Sequence, residues 1–251
     1  MKCIKDPLKE FQTMDMAEFF KLKDPLSDSR KEHKFLLPIE VVPEFLEFIR
    51  SEYFLITDGE SPVHHYQTVY FDTADYKFFN LHRQGKYNRI KVRLREYKTL
   101  QANSFIECKR KVKGRKTHKY RIRIQNISDH HLNHDFIREN LQEHGLKVED
   151  LSHTLKMSYD RIFLYAKNGQ RRISIDYDLV AKTESSEPLG IVPGYAILEI
   201  KEEGLPHKII RYLKREHGIR QTSFSKYCVA LCLLEPGLKI NKWKQTLKHQ
   251  R

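Results

Sequence analysis

The chain has 251 residues, with 46 Lys and Arg against 33 Asp and Glu and a hydrophobic share of 39%. That is enough for one large domain or two small ones with a real core, and no stretch approaches the roughly 20 apolar residues of a membrane span. The opening MKCIKDPLKEFQTMDMAEFF carries acids and no apolar h-region, so it does not read as a signal peptide. The expected setting is the cytoplasm, with Cys3, Cys108, Cys228 and Cys232 reduced and structural, because no CxxC pair is present.

Residues 1–29 read as a partly helical extension ending in the turn-rich KDPLSDS. RKEHKFLLP (30–38) is a strand, and an amphipathic helix follows over 39–51, with Val42, Phe45, Leu46 and Ile49 at helical spacing. HHYQTVYFDT (64–73) is a strand rich in β-formers, and a short helix spans 74–80. Further strands are expected at 89–97, 104–111, 119–125, 156–166, 171–180 and 195–203. A helix lies between the third and fourth of these, with Ser128 as its N-cap and Gly145 just past its end. Two helices, 206–217 and 222–234, close a domain of residues 30–236. A basic tail, 237–251, carries Lys244, Lys248 and Arg251 and reads as solvated, or as an addition to a polyanion-binding surface. There is no internal repeat and no linker.

The excess charge is concentrated. Between Arg89 and Arg123 there are 14 Lys and Arg against Glu96 and Glu107, while the rest of the chain holds 32 basic and 31 acidic residues. A polyanion is the natural partner of such a stretch. Its strands alternate strictly. Arg89, Lys91, Arg93 and Arg95 take one face and Ile90, Val92 and Leu94 the other. Glu107, Lys109 and Lys111 oppose Ile106 and Cys108, and Lys119, Arg121 and Arg123 oppose Tyr120, Ile122 and Ile124. Glu32 and Lys34 share a face, as do Ser174, Asp176 and Asp178, and Glu199 and Lys201; Asp176 and Asp178 read equally as interior acids that balance the cations and as turn-proximal polar residues. An antiparallel sheet with one wet face explains a single such strand. Several together gather like charges that repel unless anions lie among them. The alternative is a closed barrel with a charged interior and an apolar exterior covered by helices.

The motifs EHKFLLP (32–38), VYFDT (69–73), NRIKVRLREY (88–97), FIECKRKVKGRKTHKYR (105–121), SYDRIFL (158–164), RISIDYDL (172–179), YAILEIK (195–201) and SFSKY (223–227) resemble the VTC-type polyphosphate polymerase domain. That domain is part of the CYTH-like triphosphate tunnel metalloenzyme superfamily. The resemblance implies an α+β fold: a closed antiparallel eight-stranded β-barrel, a tunnel with a charged interior, surrounded by amphipathic helices. It implies binding of nucleoside triphosphate, ATP by expectation, and passage of the terminal phosphoryl group to phosphate or polyphosphate. Carried over by motif, Lys34, Arg93, Arg95, Lys109, Lys119, Arg161 and Lys226 hold phosphates, and Arg93, Arg95, Lys109 and Arg161 bear on the transferred group. Glu199 takes the place of the metal-binding carboxylate for Mn²⁺ or Mg²⁺, with Glu32 and Glu107 supporting it or pairing with neighbouring cations. By parity, Arg89, Lys91, Arg121, Arg123 and Lys201 join the phosphate-binding set.

Two positions depart from related patterns. Arg30 stands where CYTH enzymes begin Glu-x-Glu-x-Lys, which suits the VTC branch. Ser223 stands where some relatives have a lysine, with Arg220 near enough in sequence to replace it. The SPX and membrane domains that accompany eukaryotic relatives are not in this sequence, so translocation of product would need a separate membrane partner. KVKGRKTHK is not a P-loop; VKGRKT reads as a hairpin at a tunnel mouth. The His64–His65 and His130–His131 pairs read as structural or exposed, and Asp72 as a strand-end turn residue. Hydrolysis of triphosphate or polyphosphate would use the same tunnel, and a non-catalytic polyphosphate-binding module is the third reading. Nucleic acid is not expected, because the cationic face lacks the stacking aromatics of single-strand binders.

Overall fold

The computed structural model describes residues 4–22, 31–98, 103–112, 117–124, 135–202 and 207–250. The first half contains α1 (Lys5–Leu8), β1 (Thr13–Asp15), α2 (Met16–Lys21), β2 (Lys31–Pro38), α3 (Val42–Ile49), β3 (Tyr53–Thr57), β4 (His64–Thr73), α4 (Lys77–Arg83) and β5 (Arg89–Tyr97). The second contains β6 (Asn103–Lys111), β7 (Thr117–Ile124), α5 (Asp135–Gln142), β8 (Leu151–Ala166), β9 (Arg171–Lys182), β10 (Leu189–Gly190), β11 (Tyr195–Glu202), α6 (His207–His217), α7 (Lys226–Leu234) and α8 (Lys244–Leu247). β4 and β5 coincide with the expected strands, whereas β8 starts five residues before the expected 156. β3 was not foreseen: its run YFLIT is too short to declare a period. Ser128, the loop positions 113–116 and the His130–His131 pair lie outside the described residues. No helix among the described residues is long and apolar enough to cross a membrane.

The fold is α+β, built on one large sheet. Eight strands pair in the order β2-β11-β9-β8-β4-β5-β6-β7, every neighbour antiparallel, with β1, β3 and β10 attached beside them. The expected closed barrel is not formed: β2 and β7 end the order, with no backbone pairing between them among the described residues. Both end strands carry charge on the would-be seam, Lys31, Glu32 and Lys34 on one and Lys119, Arg121 and Arg123 on the other. A charged edge strand with little cover resists further pairing. The sheet is curled all the same. Lys109 Nζ on β6 lies 4.0 Å from Glu32 on β2, near the opposite end of the strand order.

The convex face is apolar and covered by helices. Ile90, Val92, Leu94, Ile106 and Cys108 pack with Phe78 of α4 and Ile137 and Leu141 of α5. Phe35, Leu37, Ile162, Leu164, Ile173, Ile175, Leu198 and Ile200 pack with Val42, Phe45, Leu46 and Ile49 of α3 and Ile209 and Leu213 of α6. Burying side chains of this size stabilises the fold by about 1.5–3 kcal/mol each.

The concave face differs from a wholly charged interior. One part of it is apolar, formed by Tyr70, Leu155, Met157, Leu179, Ala181 and Ile197, and α7 lies against it. The sequence KYCVALCLL is apolar on every side, and such a helix needs cover all round. A pocket between sheet and helices supplies that cover. The alternation on β9 also breaks. Pairing with β8 shifts register between Ser158 and Asp160, and Asp178 has φ 51°. The bulge turns Asp178 out to solvent and brings Leu179 and Ala181 inward, so Asp178 does not share the face of Asp176. The C-terminal segment is docked rather than solvated throughout. Trp243 is 1% exposed and Thr246 is buried, whereas Lys244 and Lys248 are exposed and Arg251 is outside the described residues.

A cationic concave face as the candidate active site

Five antiparallel strands and the start of α7 carry the central cluster. On β6, Glu107 is 1% exposed, and its carboxylate lies 2.7 Å from Arg93 and 3.8 Å from Arg95, both on β5. On its other side it lies 2.8 Å from Lys119 and 3.8 Å from Arg121, both on β7. The register makes this unavoidable, since Glu107 pairs directly with Arg93 and with Arg121. Burial opposes ionisation of Glu107, yet Arg93, Arg95 and Lys119 hold its carboxyl well below the usual range. Across the concave face, Asp176 of β9 is fully buried and takes a two-point contact from Arg161 of β8, at 2.5 and 2.8 Å. Lys226 of α7 donates to the same carboxylate. Burial again opposes the charge, and Arg161 and Lys226 bring Asp176 down to about 2.

Between these two groups sits a layer of aromatic rings. Tyr66 and Tyr159 stack at 5.2 Å, Arg161 lies 4.9 Å from the Tyr66 ring and 5.6 Å from that of Tyr159, and Arg95 lies 5.5 Å from Tyr66. The rings hold the guanidinium planes in place. The Tyr159 hydroxyl and the Arg95 Nε are buried without hydrogen-bond partners. Burial raises the phenol of Tyr159, but Arg95, Arg161 and Lys226 pull it below its ordinary value.

The third group lies on β2 and β11. Lys34 Nζ is 2.7 Å from Glu32 and 3.4 Å from Glu199, and Lys201 is 2.6 Å from Glu199. Burial and each other's charge oppose ionisation of Glu32, but Lys34, Lys201 and Lys109 hold it low, and Lys201 and Lys34 do the same for the more deeply buried Glu199. Lys34 also donates to the Phe224 carbonyl at 3.2 Å, tying β2 to the start of α7. That start is capped by Ser225, which also receives Lys91 Nζ at 3.3 Å. Asp72 is not a mere turn residue. Fully buried, it accepts from the backbone of Thr73, Phe78 and Phe79 and, at 2.6 Å, from the Tyr227 hydroxyl, and so fixes α7 against β4.

Thus Arg93, Arg95, Lys109, Arg161, Lys34, Lys91, Lys119, Arg121, Lys201 and Lys226 meet on one face. Arg89 is half-buried at one end of it, and Arg123 is exposed near the other. Sequence reasoning left Asp176 undecided and did not single out Tyr66 or Tyr159; the parity that Tyr159 shares with Arg161 was the available signal. Glu32 and Glu199 form a pair of oxygen donors that fits a hard divalent cation whose other ligands are phosphates and water. Glu107 does not fit that role, because its carboxylate faces four cations. No group of three or more His, Cys, Asp or Glu among the described residues could hold a metal by itself. His64 is buried against the Ile56 carbonyl, and His65 is exposed beside Asp160. A cleft of about 420 Å³ between α3 and α6, lined by Phe48, Lys208, Arg211, Tyr212, Arg215 and Glu216, lies on the convex side, apart from this cluster.

The fold is similar to that of a putative adenylate cyclase from Bacillus halodurans, 14% identical, with 78% of this chain and 95% of that chain covered and a TM-score of 0.52. It is equally similar to the putative adenylyl cyclase HpAC1 from Hippeastrum, described as revealing a dominant triphosphatase activity, at 13% identity, 83% and 98% coverage and a TM-score of 0.51. No curated protein matches the chain in sequence. The family model described as the VTC domain matches residues 29–235, which contain the whole of the cationic face just described. The chain belongs to the VTC domain family.

Proposed function

We propose that the concave face binds the phosphates of a nucleoside triphosphate, ATP by preference, and transfers the terminal phosphoryl group to phosphate or a polyphosphate chain. The observation that carries this reading is the cage around Tyr159. Arg95, Arg161 and Lys226 surround a buried hydroxyl and a guanidinium Nε that have no protein partner. Buried polar atoms usually have a partner, and a phosphate oxygen or an ordered water would complete these two. Phosphoryl transfer asks for positioning and charge neutralisation rather than covalent help. Arg93, Arg95 and Arg161 are planar forks suited to phosphate oxygens, and Lys34, Lys109, Lys119 and Lys226 supply point charges.

The carboxylates bear on the acceptor. Glu107 and Asp176, the acids nearest the cluster, are ion-paired and held in their ionised forms well below neutrality. Carboxylates so stabilised are weak general bases, and none is poised to deprotonate water. An acceptor already anionic, such as phosphate, needs no such base. Glu199 and Glu32 would hold Mn²⁺ or Mg²⁺, and such a cation supplies charge neutralisation at phosphate oxygens. Hydrolysis is the second reading, favoured by the dominant triphosphatase activity described for the Hippeastrum protein of like fold.

The experiment is incubation of purified protein with ATP and Mn²⁺, with polyphosphate read by gel staining and free phosphate by colorimetry, beside Glu199→Ala and a chelator control. Long chains that vanish in both controls support the polymerase. Free phosphate without chains moves the assignment to a triphosphatase, and neither product leaves a binding module.

A further inference from the structure

Most of the cations discussed so far have carboxylates: Arg93, Arg95, Lys119 and Arg121 share Glu107, Arg161 and Lys226 share Asp176, and Lys34, Lys109 and Lys201 share Glu32 and Glu199. Three cations at one end of the face have no ion-pair partner among the described residues. Arg89 and Lys91 come from the start of β5, on the same side of the strand as Arg93. The third, Lys242, comes from the segment after α7, outside the 29–235 that the family model matches. Its ammonium donates to the His82 carbonyl at 2.8 Å, at the end of α4.

The segment that delivers Lys242 is fastened along its length. Trp243 is 1% exposed, with its ring 5.8 Å from Phe79 and 6.0 Å from His82. His249 packs on Tyr195 at 4.6 Å, and the Gln250 side chain accepts from Val192 N at 2.7 Å and donates to Gly190 O at 2.5 Å. The segment is therefore held in place, and its bond to the His82 carbonyl sets Lys242 at the end of α4, which packs on β5, the strand of Arg89 and Lys91. Their shared surroundings are evident at His82. Burial, then the fields of Lys91, Arg89 and Lys242, hold its imidazole down to about 2. Burial and the fields of Arg89 and Lys111 likewise lower the ammonium of Lys242 itself. Like charges crowded without a counter-charge are unfavourable unless an anion joins them.

We infer that Arg89, Lys91 and Lys242 form an outer anion subsite, completed by the C-terminal segment, for a phosphate chain that extends beyond the central cluster. This rests on the reading that the central cluster binds phosphates. The chain would run from the Arg93 and Arg95 forks, past Lys91 and the Ser225 cap of α7, and out between Arg89 and Lys242. The ligand class is linear polyphosphate longer than triphosphate. The competing role for Lys242 is confined to the fold: a cation that caps the C-terminal end of α4.

Trp243 is the only tryptophan in the chain and neighbours Lys242, so its fluorescence reports at this subsite. The test titrates the intact protein, Lys242→Ala and Lys242→Arg with tripolyphosphate and with long-chain polyphosphate, reading Trp243 fluorescence and calorimetric Kd, with melting curves to confirm folding. In Lys242→Ala, binding of the long chain weakens by roughly three- to tenfold, as expected for one charge-assisted contact near the surface. Tripolyphosphate affinity stays as in the wild type, and Lys242→Arg restores long-chain binding. The slope of log affinity against log salt for the long chain drops by about one in the alanine variant. Long-chain binding unchanged in Lys242→Ala overturns the subsite and leaves the helix cap. Equal weakening of both ligands overturns it too, because the effect is then not specific to the extended chain. A wild type that binds neither ligand removes the central reading as well, which separates that failure from failure of the subsite alone.

Discussion

Replacing Glu107 by Gln removes the one negative charge among Arg93, Arg95, Lys119 and Arg121 while keeping the side-chain shape. Two opposite effects follow. Glu107 is 1% exposed and its nearest cations lie at 2.7 and 2.8 Å. Breaking a buried ion pair by neutralising one partner costs about 3–5 kcal/mol. For a domain of this size each kcal/mol lowers Tm by roughly 2–4 °C, so a fall of roughly 6–20 °C is expected without ligand. A phosphate on the far side of the same guanidinium groups would sit about 5 Å from the carboxylate, where like charges repel by about 3 kcal/mol at an effective dielectric of 20. Removing the carboxylate therefore strengthens binding of tripolyphosphate, by up to about a hundredfold before the cost of reordering the freed cations. The assay is scanning fluorimetry of both proteins across a tripolyphosphate series, with calorimetric Kd as a check. The ligand should recover more of the Tm in Glu107→Gln than it adds to the wild type. An unchanged Tm together with weaker ligand binding would refute the reasoning, and would return Glu107 to the metal-supporting role expected from sequence.

Three further outcomes are expected. Asp176 is held at about 2 and Glu107 well below its ordinary value, so their stabilising contribution is complete above the unfolded carboxyl values near pH 4. It is lost as pH falls through the folded values, so Tm should drop steeply from about pH 4 towards 2; a flat profile would contradict the pairing. Burial among cations brings Lys91 down to about 8, and an anion favours its protonated form, so long-chain polyphosphate affinity at low salt falls as pH rises through about 8. Lys91→Met should show weaker binding below that pH and a flatter profile than the wild type, and parallel profiles would remove Lys91 from the site. Asp178 stands exposed at φ 51°, so Asp178→Gly should leave Tm unchanged or raise it by a few degrees, about 0.4–1 kcal/mol. A loss of activity in that variant would place its carboxylate at the concave site after all.

The alternating strands were legible because each keeps a two-residue period over its length. Arg89 to Arg95 and Lys119 to Arg123 lie on the cationic side as their parity demands, and Ile90, Val92 and Leu94 are buried against α4 and α5. Parity failed where the backbone breaks it. Nothing in RISIDYDL announces that Asp178 is left-handed, and one such residue reverses the faces of everything after it. Closure of the barrel was equally hidden, since it depends on whether β2 and β7 meet, and pairing between distant strands leaves no mark on either sequence. Helix α7 was found as a helix, but its place on the concave side follows from its being apolar all round, a feature weighed less than the amphipathic helices that cover the exterior. Asp176 was ambiguous for a related reason: its value lies in Arg161 and Lys226, which reach it from two other elements.

The measurement that bears most directly on the whole account is a crystal structure with a non-hydrolysable ATP analogue and Mn²⁺. The account predicts phosphate groups between the Arg93–Arg95 forks and the Arg161–Lys226 pair, with the Tyr159 hydroxyl and Arg95 Nε both partnered by phosphate oxygens, and the cation at Glu199. Phosphates bound instead in the convex cleft beside Lys208, Arg211 and Arg215, with the concave face empty, would contradict it.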